Sequence, residues 1–129
     1  MPRKTSPTLT EAELRLMDLV WQRGPLTVQQ MVDALEGKAL LAYNSVLTTI
    51  RILEKKGYVE HIKDGRAHVY SPLVGRREAS RFEVRHLLHR FFNNSHEELV
   101  LNLLNDDSLD EDEITRLRAL IGQSRGDVK

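Results

Sequence analysis

The sequence predicts a mainly α-helical chain with one small β-hairpin, in which a helix-turn-helix domain carrying the hairpin precedes a second helical domain. Three observations support this fold class. Apolar residues recur at helical spacing in both halves of the chain. The dipeptide Asp64-Gly65 stands between two β-favouring runs, as in a hairpin. The net charge also changes sign between the first part of the chain and the second.

The charge of the chain is zero overall but unevenly divided. Residues 1–77 carry 12 Lys and Arg against 8 Asp and Glu, a net +4, whereas residues 78–129 carry 7 against 11, a net −4. The first part therefore suits phosphate, and we expect the second part to stand away from nucleic acid and do a different job. The predicted domains are 9–75 and 76–122, flanked by a disordered basic tail at 1–8 and a disordered tail at 123–129.

Composition excludes several classes of protein. No stretch approaches the ~18 consecutive apolar residues of a membrane span, and no signal-peptide pattern opens the chain, so we expect a cytoplasmic protein without membrane insertion. The absence of cysteine excludes disulfides and Cys-based metal sites. No Gly-rich phosphate loop, nucleophile elbow or HExxH motif occurs, so we expect neither enzymatic activity nor a cofactor.

Capping residues mark the starts of the first two helices. Thr10 and Glu13 predict a capping box at the start of helix 1, which Gly24-Pro25 ends. Thr27 and Gln30 repeat the pattern for a short helix 2. A loop over Glu36 to Leu41 leads to the third helix, which completes a helix-turn-helix. Gln29 and Gln30 are predicted to donate to a phosphate, helped by the helix dipole.

The third predicted helix, Ala42 to Gly57, has two distinct faces. Val46, Ile50 and Leu53 fall within roughly 60° of one another and predict a buried stripe. A row of polar side chains lies on the opposite side: Asn44, Thr48, Arg51 and Lys55. These residue types contact base edges when a helix enters the major groove. An ordinary amphipathic helix with a solvated face has the same periodicity, so the helix alone leaves both interpretations open.

The hairpin after this helix favours DNA binding. Asp-Gly is typical of a two-residue type I′ turn. That turn predicts the pairs Lys63 with Arg66, Ile62 with Ala67 and His61 with His68. Lys63 and Arg66 would then project together from the tip. A helix of this kind running into a hairpin with a basic tip is the winged-helix arrangement, in which the tip contacts backbone phosphate or a minor groove.

Three further amphipathic helices are predicted after the hairpin, over 76–93, after Ser95, and from Asp110 to Gly122. They have little to bury against within one chain, so we expect a homodimer. Two-fold symmetry would select an inverted repeat in duplex DNA. The predicted dimerisation residues are Phe82, Leu88, Phe91, Phe92, Leu99, Val100, Leu103, Leu104, Ile114, Leu117, Leu120 and Ile121.

Two alternatives stay open at this point. One is a winged-helix module that binds only protein partners, and the other is a His-based metal-responsive regulator. His86 and His89 share a helix face, and His61 faces His68 across the hairpin. Since two ligands do not make a metal site, we expect no bound metal. Protonated His61 and His68 would instead add to phosphate attraction.

Three blocks of sequence carry a family resemblance. They are LTEAELRLMDLVW, then SVLTTIRILEKKGYVEH with GRAHVYSP, then ELVLNLLND with LDEDEITRLRALI. In order and spacing they resemble the penicillinase-repressor family (the BlaI, MecI and CopY type), winged-helix transcriptional repressors with a C-terminal helical dimerisation domain. The resemblance covers about residues 9–121. It implies operator contacts by Tyr43, Asn44, Ser45, Thr48 and Arg51, with wing contacts by Lys63 and Arg66.

The sequence departs from the family pattern in the third predicted helix. Similar proteins often have Thr-Arg-Leu where this chain has Arg51-Ile52-Leu53, so the arginine is displaced.

The same resemblance bears on regulation. Antibiotic-sensing members are inactivated when a membrane-bound metalloprotease cuts after the Asn of a Val-Leu-Asn-Phe run. The matching bond here is Asn102-Leu103, with leucine in place of phenylalanine. The helical pattern alone makes Asn102 only the polar position of an amphipathic helix. Copper sensing is not expected, because that branch uses cysteines.

Overall fold

In a computed structural model of the chain, residues 8–35 and 42–128 are described. They form six helices and a three-stranded antiparallel sheet, so the predicted fold class is confirmed. The elements are α1 (Glu11–Arg23), β1 (Leu26–Thr27), α2 (Val28–Leu35), α3 (Tyr43–Lys55), β2 (Val59–Asp64), β3 (Ala67–Pro72), α4 (Arg76–Phe91), α5 (His96–Leu104) and α6 (Glu111–Val128). The loop predicted at 36–41 and nearly all of the tail predicted at 1–8 lie outside the described residues.

Both predicted capping boxes are confirmed. The Thr10 hydroxyl accepts the Glu13 N–H at 3.1 Å, and the Glu13 carboxylate accepts the Thr10 N–H at 2.9 Å. At α2 the Thr27 hydroxyl accepts the Gln30 N–H at 3.1 Å, and the Gln30 side-chain oxygen accepts the Thr27 N–H at 2.8 Å. Gly24 ends α1 with φ +84°, a conformation that glycine adopts without steric cost. These caps fix where the helices that support α3 begin and end.

The chain divides into two compact units, Met1–His86 and Leu87–Lys129. The hydrophobic core belongs to the first unit and is built from α1, α2, α3, the sheet and the start of α4. The division falls within α4, later than the predicted boundary after residue 75. The reason is that Ala79 is buried and Phe82 packs against the core, where its ring meets Tyr58 edge-on at 6.3 Å. The first half of α4 thus completes the core of the first unit.

The turn of the hairpin lies one residue later than predicted, so each residue of β2 pairs with a residue of β3 two positions further along the chain than expected. Asp64 pairs with Ala67 and Lys63 with His68, so the turn residues are Gly65 and Arg66, not Asp64 and Gly65. Gly65 has φ +66°, which suits the first central position of a type II′ turn. Arg66 therefore lies in the turn itself and does not face Lys63. The short strand β1, which pairs with β3, was not predicted.

The second unit contains the end of α4 with α5 and α6. The Ser95 hydroxyl accepts the Glu98 N–H at 3.1 Å, and the Asp110 carboxylate accepts the Glu113 N–H at 2.8 Å, so these two helix starts were predicted correctly. Gly122 does not end the last helix, which continues to Val128. Gly122 lacks the positive φ of a terminating glycine, and a glycine inside a helix costs only about 1 kcal/mol.

Candidate nucleic-acid interface

Helix α3 separates a buried face from an exposed polar face. Val46, Ile50 and Leu53 are each at most 1% exposed, which confirms the predicted stripe. The residues of the predicted polar row are all exposed: Asn44, Thr48, Arg51 and Lys55. Burial of the stripe fixes the rotation of the helix about its axis. The polar row is consequently held outward on a surface that other parts of the described chain do not cover.

The first turn of α3 adds further exposed groups beside this row. Tyr43, the first residue of the helix, is 46% exposed, and Ser45 is exposed one position beyond Asn44. The Thr49 hydroxyl donates to the Ser45 carbonyl at 2.9 Å, so Thr49 is turned back along the helix. Tyr43 and Ser45 therefore share the open end of α3 with Asn44.

A cleft of about 420 Å³ lies between α3 and the hairpin. Arg51 of α3 and Arg66 of the turn both line it, together with His68 and Tyr43. Its floor includes Tyr70, a residue that is only 1% exposed. Burial, and to a smaller extent the Glu54 carboxylate, raises the pKa of the Tyr70 phenol, and nearby Arg51 opposes that rise. A cleft bordered by two guanidinium groups attracts phosphate.

The hairpin is tied to α3 by a contact that the sequence reasoning missed. His61 Nδ1 lies 2.7 Å from the Glu54 carboxylate, and its ring stacks on His68 with centroids 4.4 Å apart. His61 is directly opposite Tyr70, and His68 is its diagonal neighbour, so the predicted His61–His68 pairing is wrong while their contact exists. Glu54 belongs to α3 and His61 to β2, so no periodic pattern within a single element connects the two residues.

The end of α3 is also fixed by a nearly buried ion pair. The Lys56 ammonium lies 2.7 Å from the Glu13 carboxylate, and the two side chains are 16% and 6% exposed. The same ammonium donates to the Thr8 carbonyl at 3.0 Å. Lys56 therefore connects α3 to the start of α1. Sequence patterns gave no sign of this pair, since its partners are far apart in the chain.

The two glutamines predicted to contact phosphate are exposed at the start of α2, but both are engaged within the chain. The Gln29 amide donates to the Asp33 carboxylate at 3.0 Å. The Gln30 side-chain oxygen caps α2 through the Thr27 N–H. A phosphate contact through the Gln29 amide would have to replace the bond to Asp33. Lys63 and Arg66 of the hairpin are both exposed, with the acidic Asp64 between them in sequence.

Within 8–35 and 42–128 no three His, Asp or Glu side chains are grouped so that they could hold a metal ion. Over the same part of the chain, every helix is too short or too polar to cross a bilayer.

The predicted dimerisation residues divide by exposure. Phe82 packs on the core of the first unit, and Leu88 is 5% exposed in the single chain. Phe92, Leu99, Ile114 and Leu117 are half-buried. The remaining six are exposed: Phe91, Val100, Leu103, Leu104, Leu120 and Ile121. Asn102, the residue before the predicted cleavage point, is exposed in α5.

The helix-turn-helix, the exposed polar face of α3 and the adjoining hairpin define a winged-helix protein of the DNA-binding class. The family model described as penicillinase repressor matches residues 9–123. The chain therefore belongs to the penicillinase repressor family, as the sequence resemblance predicted. This family consists of DNA-binding transcriptional repressors and not of enzymes.

Individual relatives agree with this assignment. The penicillinase repressor of Bacillus licheniformis is 27% identical over 126 residues, which cover 98% of each chain. The transcriptional regulator BlaI of Mycobacterium tuberculosis is 44% identical over 71 residues, 54% of this chain and 51% of that protein. The solution structure of the DNA-binding domain of the repressor BlaI superposes with a TM-score of 0.53 at 26% identity. It covers 59% of this chain and 93% of that one.

Proposed function

We propose that this protein is a cytoplasmic homodimeric repressor that binds an inverted-repeat operator in double-stranded DNA. The observation that carries the proposal is the exposed row on α3, which lies directly opposite the buried stripe of Val46, Ile50 and Leu53. A helix held rigidly by one face, with hydrogen-bonding side chains on the other, meets the geometric requirement for the major groove.

Each exposed group has a role that follows from its chemistry. Arg51 is suited to guanine, Asn44 to adenine and Thr48 to a thymine methyl or a base acceptor. Tyr43, Ser45 and Lys55 lie at the two ends of the helix, where they would contact phosphate and sugar. Lys63 and Arg66 would hold the DNA backbone from the hairpin, with Gln29 and Gln30 contacting a phosphate at the start of α2.

The dimer is inferred from the second unit. No residue of α5 is buried, although five of its nine residues are Leu or Val. Phe91, Leu120 and Ile121 are each more than half exposed. Apolar surface of this kind, concentrated on helices outside the core, is typical of a protein interface. A second copy would cover it and would place two copies of α3 on two half-sites.

Selection of bound sequences from random duplex DNA tests the proposal as a whole, and an inverted repeat is the expected result. Arg51→Ala should relax base preference at one position, at a cost of about 1–3 kcal/mol. Lys63→Ala should weaken all sequences alike and lower the slope of log affinity against log salt by about one. Arg118→Ala, an exposed change on α6, is the matched control and should alter neither property.

Two outcomes would contradict these roles. If Arg51→Ala and Lys63→Ala behaved alike over a set of operator variants, the division between base contact and backbone contact would be wrong. If affinity for duplex DNA did not depend on salt, the protein would be a module for protein partners, because phosphate contacts always release counterions.

We further propose that repression is relieved by cleavage of the Asn102-Leu103 bond by a membrane-bound regulatory protease. Both residues are exposed, and the bond lies near the end of α5, where a helix opens most readily. Cleavage there would separate α6 from the rest of the dimer surface. Mass spectrometry of the protein from induced cells should find a fragment ending at Asn102. An intact chain in fully induced cells would exclude this mode of relief.

A further inference from the structure

A groove of about 570 Å³ lies in the first unit, between α1 and the first half of α4. None of the residues of the polar row on α3 lines it. Its apolar wall is formed by Leu9, Leu14, Trp21, Ala79 and Val84, and its polar groups are Glu11, Arg76, Ser80 and Glu83. Sites for small organic molecules have this volume and this combination of an apolar wall with a few polar groups.

The charges around the groove favour a cationic ligand. Among the described residues, Arg76 is the one basic residue of the lining, and its guanidinium is 2.9 Å from the Asp18 carboxylate, so its charge is offset. The same guanidinium lies 4.7 Å from the centre of the Trp21 ring, so a ligand that packs on this face takes the place of the Arg76 side chain. Glu11 and Glu83 leave the groove with a net negative character.

The negative field is also felt by a neighbouring core residue. The pKa of the Tyr58 phenol is raised to about 12, first by burial and then by the carboxylates of Glu83, Glu13 and Glu78. Glu83 thus contributes both to the lining of the groove and to the field around it. We propose that the groove binds a small organic cation with an apolar body, which packs on Trp21 and Val84 with its charge near Glu11 and Glu83.

A single peptide group connects this groove to the end of α3. The Leu9 N–H donates to the Glu83 carboxylate at 2.8 Å. The carbonyl of the same peptide, which belongs to Thr8, accepts from the Lys56 ammonium at 3.0 Å. A cation beside Glu83 competes with Leu9 for that carboxylate and loosens the peptide that Lys56 also holds. Occupancy of the groove is therefore expected to lower operator affinity, a consequence that rests on the proposed function.

Trp21 is the only tryptophan of the chain, so its fluorescence reports directly on the groove. Tetraphenylphosphonium and tetraphenylborate are probes of matched shape and opposite charge, and tetramethylammonium is a cation without the apolar body. The full-length protein, without DNA, should show a saturable change in Trp21 emission with tetraphenylphosphonium alone. Equal responses to the two large ions, or no response to the cation, would overturn the proposal. So would a response that depended on protein concentration, because a second copy would then be the occupant.

Variants test the position of the site. Val84→Lys places an ammonium in the groove at a residue that is 45% exposed, and it removes no hydrogen bond. It should weaken tetraphenylphosphonium binding roughly tenfold, which corresponds to ~1.4 kcal/mol of repulsion. Ile62→Lys makes the same change at an exposed hairpin residue and is the matched control, expected to bind as the unmodified protein does. Equal losses in both variants would show that the cation responds to overall charge and not to the groove.

The link to α3 is tested separately. Saturating tetraphenylphosphonium should lower operator affinity roughly fivefold or more, and operator DNA should lower cation affinity by the same factor. In Glu83→Gln both effects should shrink together. Cation binding with unchanged operator affinity would refute the link while leaving the site intact. Failure to bind any operator would refute the proposed function, and the fluorescence result would still decide the site.

Discussion

The two units of this chain use their apolar residues in opposite ways. In the first unit, Met17, Met31, Ile50 and Leu53 are completely inaccessible to solvent, and the core extends through α1, α2, α3, the start of α4 and the sheet. Among the described residues of the second unit, Leu88 is the one buried apolar residue. Helix α5 buries none of its side chains. The first unit has a core of its own, whereas the second presents apolar surface to solvent.

The exposed apolar surface assigns the proposed dependence on a second copy to the second unit. Helix amphipathicity stabilises a fold only when the apolar face is covered. The first unit covers its helices with one another. The second unit has comparable sequence patterns but too few elements to cover them, so its stability should depend on protein concentration.

The largest expected effect comes from disrupting the second unit. Leu120→Lys places a charge on α6 at a residue that is 59% exposed in the single chain. If the surface is a dimer interface, the protein should sediment as a monomer. Operator affinity should then fall about 100-fold or more, because the second half-site no longer binds at high effective concentration. Gln123→Lys, on the same helix, is the control for added charge and should remain dimeric. A dimeric Leu120→Lys protein with full affinity would show that α6 faces solvent.

The next effect contrasts a core residue with a surface one. Ile50→Ala in α3 should lower the free energy of unfolding by about 2–5 kcal/mol, since it removes methylene groups from a closed core. Leu101→Ala in α5 removes a side chain of similar size that is 46% exposed. At protein concentrations where the chain is monomeric, Leu101→Ala should change stability little. Chemical denaturation at several protein concentrations makes the comparison, and equal losses in the monomer would erase the distinction between the units.

How far the sequence predicts this fold depends on the range of the interaction. The caps at Thr10 and Thr27 and the stripe on α3 were predicted correctly, because each depends on residues within a few positions of one another. The link between Glu54 and His61 and the pair of Lys56 with Glu13 were missed. Both join different elements, and only the folded chain brings their partners together.

Two errors arose where local rules compete. Asp64-Gly65 and Gly65-Arg66 both suit two-residue turns. The structure has Gly65-Arg66 in the turn, and in that register β3 pairs with β1 as well as with β2. Gly122 is either a terminator or a tolerated interior residue, and sequence spacing does not decide between them. At the candidate site, the exposed row was predicted because the stripe fixes its direction. The cleft between α3 and the hairpin was not predicted, since its shape depends on the register of the hairpin.

A third prediction concerns the core of the first unit at high pH. The pKa of Tyr58 is raised to about 12 in the folded protein, whereas an unfolded tyrosine titrates near 10. Folding therefore favours the neutral phenol of Tyr58. The resulting contribution to the free energy of unfolding is fully present below pH 10 and is lost as the pH rises toward 12. Two pKa units correspond to roughly 2–3 kcal/mol. Denaturation between pH 9 and 12 should show a smaller alkaline loss in Tyr58→Phe. Tyr43→Phe, an exposed change, should lose stability as the unmodified protein does.

The smallest effect is expected for the ion pair that ties the hairpin to α3. Glu54 and His61 are each about one-third exposed, so solvent screens their attraction, and such pairs contribute about 0–1 kcal/mol. Glu54→Gln should therefore change the free energy of unfolding by less than about 1 kcal/mol, and high salt should reduce even that difference. Lys56→Met is the contrasting variant, because it leaves the nearly buried Glu13 without its cation and should cost about 3 kcal/mol. If Glu54→Gln and Lys56→Met were equally destabilised, burial would not explain the difference in strength between the two ion pairs. The pair of Glu54 with His61 would then hold the hairpin to α3 more strongly than the exposed fractions of its side chains imply.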